Sequence, residues 1–169
     1  AGYHFKNFYK TFPQNEQADE AAYLTAYCYY LEAPKHSLDQ AYTFKAINEI
    51  QLYINTHPKS DKLEDCNSYM EELRSKLELK SYEIAYQYFK TRQYKAAMTA
   101  FTTTVSEYPD TPYREDALYY KTLAAFKLAN NSLASLQDER FTEAKTALND
   151  FEEAFPNSER IEDLRKLIH

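Results

Sequence analysis

Four prolines in one repeated local context constrain this chain more than any other feature. Pro13, Pro58, Pro109 and Pro156 lie 45, 51 and 47 residues apart. Each follows a ring: Phe12, His57, Tyr108 or Phe155. Two residues later comes Asn15, Ser60, Thr111 or Ser158, and six and seven later come Asp19-Glu20, Glu64-Asp65, Glu115-Asp116 and Glu162-Asp163. Ala21, Cys66, Ala117 or Leu164 follows at plus eight. Upstream, Ala46, Ala97 and Ala144 stand twelve before the last three prolines, and Phe5, Ile50, Phe101 and Leu148 stand eight before all four. Proline cannot continue a helix and drives the residue before it out of the α region. Asn, Ser or Thr then offers an oxygen to an orphan N–H of the next helix. The acidic pair suits the positive end of that helix. Small residues on both sides let neighbouring helices approach closely.

Such a helix–turn–helix unit cannot bury its apolar face alone, so copies must stack. The Tyr94, Ala97, Phe101, Pro109 spacing matches the second helix of a tetratricopeptide repeat, with Ala85 and Tyr88 at the small and aromatic positions of the first. The reading is an all-α, tetratricopeptide-like helical-repeat superhelix, an α-α solenoid. It is read as a single domain over 1–169, with units near 1–15, 16–58, 60–109 and 111–156 and a partial helix at 158–169. Helices are expected near 3–12, 16–32, 39–57, 60–91, 93–108, 111–130, 138–155 and 158–168, with longer connections near 33–38 and 130–138. The stretch 60–91 has no Pro or Gly, and Leu63, Cys66, Met70, Leu73, Leu77, Ile84 and Tyr88 trace a heptad seam that is close to continuous and interrupted at Lys80. One long helix shared by two units is expected there, about 48 Å long. The alternative is a break near Lys80.

Composition removes whole classes of chemistry. The chain has a single glycine, Gly2, so it has no glycine-rich phosphate loop or dinucleotide turn. Its net charge of -6 is opposite to what phosphate-driven nucleic-acid binding needs, so no nucleic-acid partner is expected. No apolar run is long enough to cross a membrane. The start "AGYHF" carries no methionine, as expected of a mature or trimmed fragment.

No catalytic residue, cofactor or metal site is expected. His4, His36, His57 and His169 lack metal spacing, and His57 occupies the aromatic column. The acidic pairs resemble catalytic dyads only until they are aligned; their shared position marks them as helix-start charges. Cys28 and Cys66 fall about two turns apart in height if their helices are equivalent, too far for a disulfide, and both are read as buried free thiols. The excess is in tyrosine, 17 residues with no tryptophan. Tyr23, Tyr27 and Tyr30 share one helix face, as do Tyr82, Tyr86 and Phe89. They are either packing between helices or a recognition surface on the first helix of each pair. Arg114, Tyr119 and Lys121 stand outside the repeating columns and are the other candidate partner contacts.

The stretches "FKNFYKTFPQNEQADEAAYLTAYCYYLEAP", "LDQAYTFKAINEIQLYINTHPKSDK", "LRSKLELKSYEIAYQYFKTRQYKAAMTAF" and "ERFTEAKTALNDFEEAFPNSE" resemble the BamD family, the repeat-containing lipoproteins of the outer-membrane β-barrel assembly machinery, in a Bacteroidetes-type version. The resemblance covers nearly the whole chain, and the run at 73–97 is its most specific part. It implies a long shared helix and a periplasmic location at the inner face of the outer membrane. It also implies a lipid anchor on an N-terminal cysteine, absent from this chain. As partners it implies the periplasmic domains of the barrel-forming subunit, bound chiefly by the C-terminal repeats. Unfolded outer-membrane proteins would be received by the N-terminal ones. Where proteobacterial members carry an arginine beside the Phe101 position this chain has Ala100, so that contact is not carried over. Two alternatives remain. One is a periplasmic repeat adaptor coordinating constriction with peptidoglycan synthesis, whose repeats are shorter. The other is a helical-repeat enzyme acting on envelope polymers, which requires clustered acids or a metal in a groove. The main reading predicts that the gene upstream of Ala1 encodes a signal peptide ending in a lipid-attachment cysteine; sequencing that finds a cytoplasmic start contradicts it.

Overall fold

The structure, a computed structural model, describes residues 1–168; His169, one of the four histidines considered above, lies outside them. Every regular element among the described residues is helical: α1 (Gly2–Thr11), α2 (Ala18–Glu32), α3 (Ala41–Thr56), α4 (Leu63–Lys90), α5 (Tyr94–Glu107), α6 (Arg114–Asn130), α7 (Ala134–Ala154) and α8 (Arg160–Arg165), followed by a 3₁₀ turn at Lys166–Ile168. None of these helices is long and apolar enough to cross a membrane. The chain packs as two compact units, Ala1–Leu77 and Glu78–His169.

The proline register builds one turn four times. The residue before each proline has φ between -126° and -136° and ψ between 58° and 72°, outside the helical region as proline requires. Its N–H still bonds back to the carbonyl four residues earlier: Phe8, Tyr53, Thr104 or Phe151. Its own carbonyl accepts from the N–H of Asn15, Ser60, Thr111 or Ser158, closing a turn with proline at the second position. The side-chain oxygen of that fourth residue accepts from the N–H two further on, at Gln17, Lys62, Tyr113 and Arg160. The expected capping residue therefore acts within the entry turn, three residues before the helix begins at Asn15, Ser60 and Thr111 and two before it at Ser158. The acidic pairs lie in the first turns of α2, α4, α6 and α8, as expected.

Three boundaries differ from expectation. α4 has 28 residues, about 42 Å, and runs unbroken through Lys80. The long connection near 130–138 shrinks to residues 131–133, because α7 begins at Ala134. Side chains satisfy the exposed ends there: Asn131 and Ser132 donate to the carbonyls of Lys127 and Leu128, and Arg140 reaches back to the Ser132 hydroxyl. The last predicted helix is one short α segment that tightens into 3₁₀.

In the first unit Ala22, Ala26, Ala46, Ile50, Tyr53, Cys66 and Leu73 form one buried cluster. In the second, Ala85, Ala97, Phe101, Ala117 and Ala124 form one cluster, and Phe126, Ala144, Leu148, Phe151 and Leu164 belong to another. The heptad seam holds from Cys66 to Leu77 and then fails: Ile84 and Tyr88 are 46% and 37% exposed. Beyond Leu77 the buried side of α4 is carried instead by Ala85, with Tyr82, Tyr86 and Phe89 packed beside it. A straight helix drifts against a seven-residue repeat, and the second stretch of α4 packs in a different unit.

The scarcity of glycine shows at one turn. α4 ends in a Schellman arrangement, with Arg92 N–H bonding the Phe89 carbonyl and Gln93 N–H bonding the Tyr88 carbonyl. The left-handed residue this motif needs is Arg92, φ 61°. A side chain there costs about 1–2 kcal/mol that glycine avoids. Arg92→Gly is expected to stabilise the protein by about 1 kcal/mol in denaturant unfolding, whereas Arg92→Ala is not.

Candidate interaction surfaces

The chemistry-bearing residues of this chain are its tyrosines. In the first unit α2 presents Tyr23, Tyr27 and Tyr30, all half-buried. Tyr23 and Tyr27 are parallel at 6.2 Å, and Tyr27 and Tyr30 follow at 6.1 Å. Tyr69 of α4 closes the ladder, stacked on Tyr30 at 4.2 Å and 5.6 Å from Tyr27. Its hydroxyl shares a 3.3 Å hydrogen bond with that of Tyr23. Tyr30 donates to Glu72, whose carboxylate also pairs with Lys76. Tyr53 of α3 touches Tyr23 and stacks on His57 at 4.5 Å.

The second unit repeats the device. Tyr82, Tyr86 and Phe89 run parallel along α4 at 6.0 and 6.3 Å. Tyr113 stacks on Tyr82 at 4.9 Å, and Tyr120 meets both Tyr86 and Phe89. A cleft of about 500 Å³ lies beside this ladder, lined by Leu79, Tyr82, Glu83, Tyr86, Gln87, Lys90 and Tyr120.

A common register underlies both faces. Each filled groove is made by the last turns of one helix and the first turns of the next, and the first helix of the preceding pair lies in it. The residue four after each proline then covers an aromatic ring of that helix. Lys62 stands over Tyr23 at 5.8 Å, Tyr113 over Tyr82, and Arg160 over Tyr119 at 5.0 Å. The residue five before each proline lines the same groove: Tyr53 meets Tyr23, the Thr104 hydroxyl bonds Ser81 at 2.7 Å, and Phe151 meets Tyr119. In the first register the corresponding groove is open, about 420 Å³ between α1 and α2, with Phe5, Phe8, Gln17, Ala21 and Leu24 in its lining.

Electrostatics keeps three of these hydroxyls protonated, on Tyr23, Tyr30 and Tyr82. The bond to Glu72, aided by burial, raises Tyr30 to about 12, and the same bond together with Lys76 holds Glu72 below the ordinary carboxylate range. Burial raises Tyr23, with help from the Tyr69 hydroxyl, and raises Tyr82, with help from Asp116. These three hydroxyls therefore remain hydrogen-bond donors.

The acidic pairs do more than favour a helix start. Asp19 lies 3.3 Å from His57, Ser158 donates to Glu115 at 2.7 Å, and Arg160 pairs with Asp116. The first and third pairs thus tie α2 and α6 to the chain around Pro58 and Pro156. Among the described residues no three His, Cys, Asp or Glu side chains are grouped to hold a metal ion.

Of the sequence candidates, Tyr23, Tyr27 and Tyr30 come together as one ladder. Arg114, Tyr119 and Lys121 do not form a cluster. The Arg114 guanidinium donates back to the Pro109 carbonyl at 3.3 Å, and Lys121 is half-buried. Tyr119, taken above as non-repeating, stands ten after Pro109 as Tyr23 stands ten after Pro13, and it fills the next groove in the same way. Tyr88, assigned to the aromatic position of a packed helix, is exposed, because Tyr86 and Phe89 take the buried side. Both cysteines are free. Cys66 is fully buried, and burial raises its thiol to about 11. Cys28, expected to be buried, is only half so, with Gly2 of α1 lying against it. The groove-lining column five before proline has a sequence signal of its own: Phe8, Tyr53 and Phe151 each precede a ring by four and pair with it at 5.7, 4.5 and 5.7 Å.

The outer-membrane lipoprotein family YfiO matches this chain over residues 1–135. The chain belongs to that family. The matched range takes in both tyrosine ladders. The chain is also similar to the outer membrane protein assembly factor BamD of Caulobacter vibrioides, with 26% identity over 112 residues, 66% of this chain and 37% of that protein. The matched stretch spans well under half of that relative's length. Family membership accords with the resemblance drawn from the repeat-bearing stretches, and the all-helical repeat is the fold expected from them.

The Tyr30–Glu72 pair gives a direct pH test. A raised tyrosine favours the fold while protonated, so its contribution is whole below about pH 10 and is lost as pH rises towards about 12. In NMR titration of ring-labelled tyrosine, Glu72→Gln is expected to move the Tyr30 transition down towards 10, leaving Tyr82 where it was. An unmoved Tyr30 contradicts the assignment.

Proposed function

We propose that the chain is a non-enzymatic scaffold of outer-membrane protein assembly, working at the periplasmic face of the outer membrane and lipid-anchored in its full-length form. Its partners would be the periplasmic domains of the barrel-forming assembly subunit and unfolded outer-membrane proteins presented for insertion. Residues 1–169 would serve as one repeat domain. The observation that carries this reading is the YfiO outer-membrane lipoprotein match across residues 1–135, supported by the likeness to a protein named an outer membrane protein assembly factor. The surface chemistry is consistent with it: half-buried neutral tyrosines offer broad contact area at low entropic cost, as protein interfaces favour.

Within this reading the tyrosine face of Tyr23, Tyr27 and Tyr30 receives the unfolded chain. The repeat at 111–155 with the C-terminal helix, including Arg114, Tyr119 and Lys121, takes the barrel-forming subunit. Tyr119 and its cover Arg160 would then act by holding α8 on α6, and Lys121 by direct contact. The test is a pull-down paired with site-specific photocrosslinking. The barrel-forming subunit is expected to crosslink at position 121 and to be lost on deletion of 111–169, while unfolded substrate crosslinks at position 27. Retention of the subunit without residues 111–169 overturns the assignment.

A further inference from the structure

We draw no further inference here: the strongest candidate, the apolar groove between α1 and α2 lined by His4, Phe5, Phe8, Ala21 and Leu24, is an unpartnered helix face in the repeat register already described, and nothing in the structure shows what covers it.

Discussion

Close helix approach at a few small side chains is the constraint on which the rest of this fold depends. Ala46, Ala97, Ala117, Ala124 and Ala144 have no exposed surface at all, and Cys66 joins them. Backbones that meet at alanine bring the flanking large residues into contact, which is how Ile50, Phe101 and Phe151 become fully buried. An added methylene at such a point has nowhere to go, and overpacking of this kind costs about 1–3 kcal/mol. Buried threonines extend the same surface without leaving a polar group unpaired. Thr25, Thr104 and Thr122 each donate to the carbonyl four residues back on their own helix. Thr122 also reaches the Ala147 carbonyl on α7, a polar contact made possible by close approach.

The aromatic-proline turn sets where each approach occurs. It stops one helix with a backbone bond four residues back, adds a ring pair there at Phe12, His57 and Phe155, and redirects the chain through a closed turn. Because the turn is the same each time, the residues at fixed distances from it fall in the same places. That is why Lys62, Tyr113 and Arg160, three chemically different residues, all cover a ring of the preceding first helix. A tyrosine-lined face is a product of this register.

Much of this was legible in the residues. The columns around Pro13, Pro58, Pro109 and Pro156 located the helices, the buried alanines and the acidic helix starts. What sequence could not show was partnership across the groove. Asp116 reads as a helix-start charge, yet it holds Arg160 across 44 residues. Tyr119 reads as unique because the residue ten after Pro58 is Ser68; its equivalent there is Tyr82, fourteen residues further along the same long helix. The heptad from Leu63 to Tyr88 likewise reads as one seam with a single interruption at Lys80, because spacing records periodicity and not which neighbour lies on which side. Ile84 and Tyr88 keep the period and lose the partner. The α6–α7 connection was overestimated for a different reason. "NNSLASLQDER" has turn-like composition, but Ser132, Gln137 and Arg140 satisfy the helix ends and let α7 start early.

If small-residue contacts hold each filled groove closed, Ala97→Leu must pry one open, and amide hydrogen exchange reads that out. Faster exchange is expected along α5 and α6, where Ala97, Phe101, Ala117 and Ala124 share one cluster, together with higher exposure of Tyr120. Unchanged protection in those helices, with the leucine accommodated at no loss of stability, would contradict it.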